Sequence, residues 1–430
     1  MKYWKYLVTV LLSVVMITSA PAAVSQAATA PTISVDAKAA LAVDAKSGQI
    51  LYANQADTVL PIASMTKMIG IYLVLDAIHS GKLQWDQQIT PDPVAYKISQ
   101  NHELSNVPLR SDGKYTVKEL YEASLIYSAN AAMMLLGDIV SGSQAKFVQK
   151  MQQQLQAWGI HDATIVNTTG LNNSALGTAI VPGTDKNAEN MMSARSVAIV
   201  AQHLLTDYPQ VLETTKITKK TFHAGTSDAI VMDNFNHMLP GLSAADATLP
   251  VDGLKTGTTD LAGENFTGTV AKEGRRIITV VMHANGEGGD NKRFVQTAKL
   301  MHYALDEFKP VTLATAGQPL STAKSVTVKY GADDKVAIAP NRSLTAYVPK
   351  DAGNASVVYR YTATKKQLTA PETKGTKVGS VAVTVNGQPL QFLDQSQAAP
   401  LTLTTTKTVK KANFFVLIFR GIGEFFSNLF

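Results

Sequence analysis

Apolar positions cluster in two distinct rhythms along this chain. Met68-Ile69-Gly70-Ile71-Tyr72-Leu73-Val74-Leu75 is apolar on every side, which predicts a helix enclosed by other structure. Leu120 to Tyr127 and Ala131 to Leu136 read as two further apolar helices. Phe266-Thr267-Gly268-Thr269-Val270 and Arg276-Ile277-Ile278-Thr279-Val280-Val281-Met282 are rich in β-branched residues, and predict strands. Val251 to Thr258 precedes them as a third. Beyond residue 312 the rhythm shortens to strict alternation, as in Ser325-Val326-Thr327-Val328-Lys329-Tyr330 and Val357-Val358-Tyr359-Arg360-Tyr361. Val381-Ala382-Val383-Thr384-Val385-Asn386-Gly387-Gln388 adds the Asn-Gly of a tight hairpin. Helices mixed with strands, followed by a run of short strands, predict an α+β domain and then a small all-β module.

The two ends carry a different pattern. Lys2 and Lys5 precede an apolar stretch from Leu7 to Ile17, and small residues follow to Ala30. This has the form of a secretory signal peptide, with cleavage expected after Ala27. Asn413 to Phe430 divides around a helix: Phe414, Phe415, Ile418, Ile422, Phe425, Phe426 and Leu429 fall on one broad face, with Asn413, Arg420, Glu424 and Ser427 opposite. A spanning helix needs about 20 predominantly apolar residues. A helix lying in the membrane surface has this division, with Lys407, Lys410 and Lys411 upstream to meet anionic head groups. The competing expectation is an amphipathic helix packed on its own β module. The expected segments are therefore a signal peptide at 1–27, a catalytic domain at 33–311, a β-rich domain at 312–405 and an anchor segment at 406–430.

Composition narrows the chemistry. There is no cysteine, so neither a disulfide framework nor a thiol-ligated metal is available. The eight histidines lack zinc-peptidase spacing. A formal net charge of +6 suits an anionic cell envelope and gives no sign of nucleic-acid binding. No metal or cofactor is expected.

Three short motifs then stand out. Ser64-Met65-Thr66-Lys67 opens the first apolar helix, so Ser64 and Lys67 share a face. A serine hydroxyl is a weak nucleophile until a neighbour takes its proton. A lysine amine does so only when its pKa is lowered, by apolar surroundings and a second cation such as Lys255. Ser128-Ala129-Asn130 lies between two apolar helices. There Ser128 would pass a proton to a leaving amine, and Asn130 would bond Lys67 or the substrate amide. Lys255-Thr256-Gly257 lies on a strand; Lys255 and Thr256 would face a carboxylate, with Gly257 leaving room for substrate backbone. Alone, each motif has an ordinary reading, as a helix cap with a snorkelling lysine, an interhelical turn, or a charged sheet edge. Together and in this order they point to acyl transfer through a serine whose base is a lysine.

The triplet resembles the signature of penicillin-binding proteins and serine β-lactamases. Asp252-Gly253-Leu254-Lys255-Thr256-Gly257-Thr258-Thr259-Asp260-Leu261-Ala262-Gly263 is similar to the corresponding stretch of D-alanyl-D-alanine carboxypeptidases of the penicillin-binding protein 5 type. Ala39 to Tyr52, Val166-Asn167-Thr168-Thr169-Gly170-Leu171 and Met192-Ser193-Ala194-Arg195 resemble further landmarks of that family. The resemblance implies the serine β-lactamase/penicillin-binding-protein-like transpeptidase fold, a central antiparallel sheet against a helical subdomain. It also implies Ser64, Lys67, Ser128 and Asn130 as the catalytic set, with Lys255, Thr256, Gly257, Thr258 and Arg293 binding substrate. In the family Arg293 would help hold the terminal carboxylate, and the backbone N–H groups of Ser64 and Thr258 would form the oxyanion hole. The implied partners are a peptidoglycan stem peptide, β-lactams as covalent inhibitors and, through the C-terminal helix, the membrane surface, for an exported protein at the extracytoplasmic face of the cell membrane or cell wall. A D,D-endopeptidase is chemically equivalent. A class A-like β-lactamase would need a deacylating glutamate, and Glu189 comes far past Asn130. A non-catalytic envelope-binding protein would lack a motif residue, and none is missing.

Overall fold

The computed structural model describes residues 33–351 and 356–427; the expected signal peptide at 1–27 lies outside them. The centre is a five-stranded antiparallel sheet in the order Ile50–Asn54, Ala37–Asp44, Arg275–Ala284, Gly263–Lys272 and Val251–Thr259. Side chains alternate across a strand, so Ile277 and Val281 enter one core while Ile278, Val280 and Met282 enter the other. Both faces are covered, which is why this strand reads as a continuous apolar run. The helix Lys292–Asp306 covers the first face through Phe294, Leu300, Met301 and Ala304. The helical subdomain covers the second, and the helix Lys67–His79 passes through its middle with apolar residues buried on nearly every side. Sheet order leaves the strand carrying Lys255 at the edge, beside the turn Ala63–Thr66 that leads into that helix.

The β module holds a seven-stranded sheet packed on Val326, Val328, Val336, Ile338, Val381, Leu401 and Leu403. Asn386 and Gly387 form a two-residue turn, both at positive φ (52° and 75°), with Val385 paired to Gln388. Positive φ at both positions is the requirement of a type I′ hairpin. Two module boundaries differ from the sequence expectation. The strand Phe308–Ala314 pairs with Leu344–Pro349 of the module, so the division falls straight after the helix Lys292–Asp306 rather than at 311. Phe308 itself stays in the catalytic core against Tyr303. At the other end the module runs on past 405, because Val409 is buried in its core and Ala412 N–H donates to Tyr330 O. Alternation alone does not reveal which partner a terminal strand will find. Buried Gln49 joins the two parts, donating to and accepting from the backbone of Tyr347 at 2.8 and 2.7 Å.

The helix Phe414–Ser427 follows. Phe414, Phe415, Ile418, Phe419 and Ile422 are exposed, whereas Arg420 donates to the carbonyls of Gly331 and Ala332 at 2.8 and 3.3 Å. Of the three upstream lysines, Lys407 pairs with Asp333 at 2.6 Å, while Lys410 and Lys411 are exposed. No described helix is long and apolar enough to cross a membrane. Removing residues 413–430 should leave the melting temperature of the β module unchanged in calorimetry. Removing everything from Thr408 onward deletes buried Val409, and should lower it by roughly 5 °C or more.

Candidate active site

The strand Val59–Pro61 is held by Met191–Ser193 and delivers the chain into a 3₁₀ turn, Ala63–Thr66, entered with Ala63 at φ 47°. Residues three apart nearly eclipse in such a turn, so Ser64 stands over Lys67. Lys67 Nζ lies 2.8 Å from Ser64 Oγ, 2.8 Å from Asn130 Oδ1 and 2.9 Å from Thr169 O. The lysine is completely buried. Burial, and then the charge of Lys255, hold its pKa well below the ordinary lysine value. A neutral amine has two N–H donors and one lone pair. Asn130 Oδ1 and Thr169 O take the two hydrogens, leaving the lone pair for the Ser64 hydroxyl.

Asn130 begins the helix Asn130–Ser141, two residues after Ser128, which sits at φ 55° in the turn from the helix Val117–Ile126. Asn130 Nδ2 donates to Ser105 O at 2.9 Å, which turns Oδ1 toward Lys67. Ser128 lines the same cleft as Ser64, a space of about 300 Å³ that also meets Thr256, Thr258 and Arg293.

Thr169 carries no site signal in the sequence, although its segment, residues 166–171, resembles a family landmark. Asn167 Oδ1 accepts from the N–H groups of Thr169 and Gly170 at 3.1 and 2.7 Å. Asn190 clamps this turn by accepting from Val166 and Asn167 and donating to Thr66 Oγ1. Gly170 has φ +83°, and a Cβ there would sit 1.9 Å from Ala63 O. The only sequence signal for this contact is an Asn-x-x-Gly turn, which says nothing about its destination.

On the edge strand, Lys255 is buried, and desolvation followed by Arg293 brings its pKa down to about 7. Gly257 lines the cleft, and a second constraint acts on it. Its missing side chain makes room for the nucleophile turn, since a Cβ would lie 2.7 Å from Ile62 O and 3.2 Å from Met65 N. Arg293 is brought to the cleft as expected, at the start of the helix Lys292–Asp306. Its Nε donates to Glu264 Oε2 at 3.1 Å, and Nη1 to Thr258 Oγ1 at 2.9 Å and to Gly257 O and Asn265 O at 3.2 Å. Nη2 has no hydrogen-bond partner among the described residues, so one arm of the fork is left for an anion. Glu264, which orients it, gave no motif signal.

Comparison with known proteins follows the same division. Residues 24–286 match the family model described as D-alanyl-D-alanine carboxypeptidase (peptidase S11), and residues 308–411 match that of the penicillin-binding protein 5 C-terminal domain. The chain belongs to the D-alanyl-D-alanine carboxypeptidase family. It is 29% identical to D-alanyl-D-alanine carboxypeptidase DacC of Escherichia coli K12, over 86% of each chain. Its fold is similar to a peptidoglycan synthesis regulatory factor (PBP3) from Streptococcus pneumoniae, with 35% identity, a TM-score of 0.67 and coverage of 88% of this chain and 100% of that one. It is also similar to penicillin-binding protein D2 from Listeria monocytogenes in an ampicillin-bound form, with 30% identity, a TM-score of 0.52 and coverage of 64% and 100%.

For a member of the carboxypeptidase family, the place of Glu189 is informative. Its carboxylate accepts from Thr259 Oγ1 at 2.7 Å and from Asn172 Nδ2 at 3.3 Å, with no bond to Ser64 or Lys67. The group beside Lys67 is the Thr169 carbonyl, which accepts hydrogen bonds but is no base for water. Ser64→Ala should abolish covalent labelling by a fluorescent penicillin on a denaturing gel; a label on any other serine overturns the assignment. Lys67→Ala should slow acylation by about 10²–10⁴-fold in stopped flow.

Proposed function

We propose that this protein is a serine-type D,D-carboxypeptidase that removes the terminal D-alanine of a peptidoglycan stem pentapeptide. The observation that carries the reading is the buried Lys67 amine, 2.8 Å from Ser64 Oγ and bonded by two carbonyl-type acceptors, beside a cleft lined by Thr256, Thr258 and Arg293, with Lys255 buried behind it. The Ser64 hydroxyl gives its proton to neutral Lys67 while Oγ bonds to the penultimate carbonyl carbon. The anion that forms on the carbonyl oxygen is held by the backbone N–H groups of Ser64 and Thr258. The C–N bond then breaks, a proton passes from Lys67 through Ser128 to the departing amine, and D-alanine leaves. Water, deprotonated by the same lysine, cleaves the Ser64 ester and regenerates the hydroxyl.

A β-lactam presents the same amide beside a carboxylate, so it acylates Ser64. Its amine stays tethered after ring opening, which obstructs water. Glu189 is engaged elsewhere, and among the described residues no carboxylate is hydrogen-bonded to Ser64 or Lys67, which disfavours the β-lactamase reading.

The same reading extends to location. The Lys2-to-Ala27 segment supports export, and the exposed phenylalanines of the helix Phe414–Ser427, with Lys410 and Lys411 beside them, support attachment to the extracytoplasmic membrane surface. Cells making a chain that ends at Ala412 should release active enzyme into the soluble fraction; sedimentation of that chain with membranes would refute the anchor.

Recognition and pH dependence test the chemistry. Mass spectrometry of products from a pentapeptide stem should show loss of one D-alanine. Arg293→Ala should weaken hydrolysis of the pentapeptide more than that of its C-terminal amide, and equal losses would make Arg293 structural only. Lys67 acts when neutral, so kcat/KM rises as pH climbs through its depressed pKa. Lys255 attracts carboxylate when charged, so kcat/KM falls as pH climbs through about 7. Bound carboxylate stabilises the charged lysine, so the alkaline limb of kcat should lie at higher pH than that of kcat/KM.

A further inference from the structure

The cleft continues beyond Ser128. A second cavity of about 310 Å³ shares Ser105 and Phe235 with the catalytic one. Ser128 lines the first space and its neighbour Tyr127 lines the second, where the Tyr127 ring stacks on Phe235 at 5.2 Å between centroids. The outer wall is the segment from Asn101 to Asn106. That wall is tied to the catalytic machinery, because Ser105 O accepts from both the backbone N–H and Nδ2 of Asn130 at 2.9 Å. Glu103 is the one acidic residue in the lining, its carboxylate is exposed, and it forms no ion pair among the described residues. Asn101 Oδ1 accepts the Glu103 N–H at 3.0 Å, which fixes the turn that presents it.

Ser128 delivers the proton to the departing amine, so the leaving residue sits on the Ser128 side of Ser64. D-Alanine places only a methyl group there and fills none of the second cavity. We propose that this cavity receives the side chain of the leaving D-amino acid, and that Glu103 makes the site favour a cationic side chain over an anionic one. This rests on the carboxypeptidase reading. The bonds made and broken are the same, with Ser64 Oγ acylated and the leaving amine protonated; only the released residue changes. An exposed carboxylate gives a modest, salt-screened preference.

The test compares N-acylated tripeptides ending in D-Ala-D-Ala, D-Ala-D-Lys and D-Ala-D-Glu, with purified full-length protein in detergent and products separated by chromatography. At low salt, kcat/KM for the D-Lys substrate should exceed that for D-Glu roughly 5-fold to 10-fold, and the ratio should shrink in high salt. Glu103→Gln should bring the ratio within about 2-fold, with D-Ala release unchanged. Ile230→Trp, which fills the second cavity from another wall, should depress D-Lys release and spare D-Ala. Penicillin labelling checks that each variant is folded. A D-Lys to D-Glu ratio near one, or a ratio that survives Glu103→Gln, overturns the proposal. Release of D-Ala with no release of D-Lys overturns it while leaving the carboxypeptidase reading intact. Failure on all three substrates removes the reading itself.

Discussion

A lysine amine buried out of water must lose its proton or find compensating charge, and at Lys67 the surroundings favour loss. Two carbonyl-type acceptors, no carboxylate bonded to it among the described residues, and the Lys255 cation all push in that direction. The nucleophile depends on that outcome, since only a neutral amine beside Ser64 has a lone pair for its proton. Much of the surrounding architecture serves to keep these acceptors in place. The Asn167 turn aims Thr169 O, Asn190 braces that turn against Thr66, and Ser105 O sets the amide of Asn130.

The same close packing explains two glycines. Gly170 and Gly257 approach the turn Ala63–Thr66 from opposite partners, one from the Asn167 loop and one from the edge strand. In each case a methyl group would strike backbone of residues 62–65, where nothing can rotate aside. The nucleophile turn is thereby gripped between the helical subdomain and the sheet, and the cleft follows the seam between them. The strand carrying Lys255 lies at the sheet edge, so its free side faces this seam. The helix Lys292–Asp306 covers the sheet's far face over the neighbouring strands, and its first turn supplies Arg293. Glu264 pairs with that guanidinium through Nε at 3.1 Å and orients it at the cleft.

Among the described residues, the β module contributes no group to the cleft. Its connection to the catalytic domain runs through Gln49, Tyr347 and the strand Phe308–Ala314, with the Arg275 guanidinium 4.3 Å over the Tyr347 ring. Its own far end meets the helix Phe414–Ser427, where Arg420 bonds module carbonyls and leaves the phenylalanines outward.

By itself the sequence determined what short-range geometry determines. Ser64 and Lys67 meet because three residues make one turn, the hairpin at Asn386-Gly387 forms because those residues tolerate positive φ, and strands buried on both faces show as apolar runs. The order of the three motifs added the chemistry and, by resemblance, the family. Tertiary structure decided what depends on distant chain segments. Thr169 reaches Lys67 across 102 residues and Glu264 reaches Arg293 across 29, through a backbone carbonyl in one case and an ordinary strand glutamate in the other. Neither leaves a compositional trace. The second constraint on Gly257 is hidden for the same reason, since the neighbour that imposes it is the Ile62 carbonyl, far earlier in the chain. The ends of the β module were misplaced because a strand's pattern records that one face is buried, and never which strand buries it.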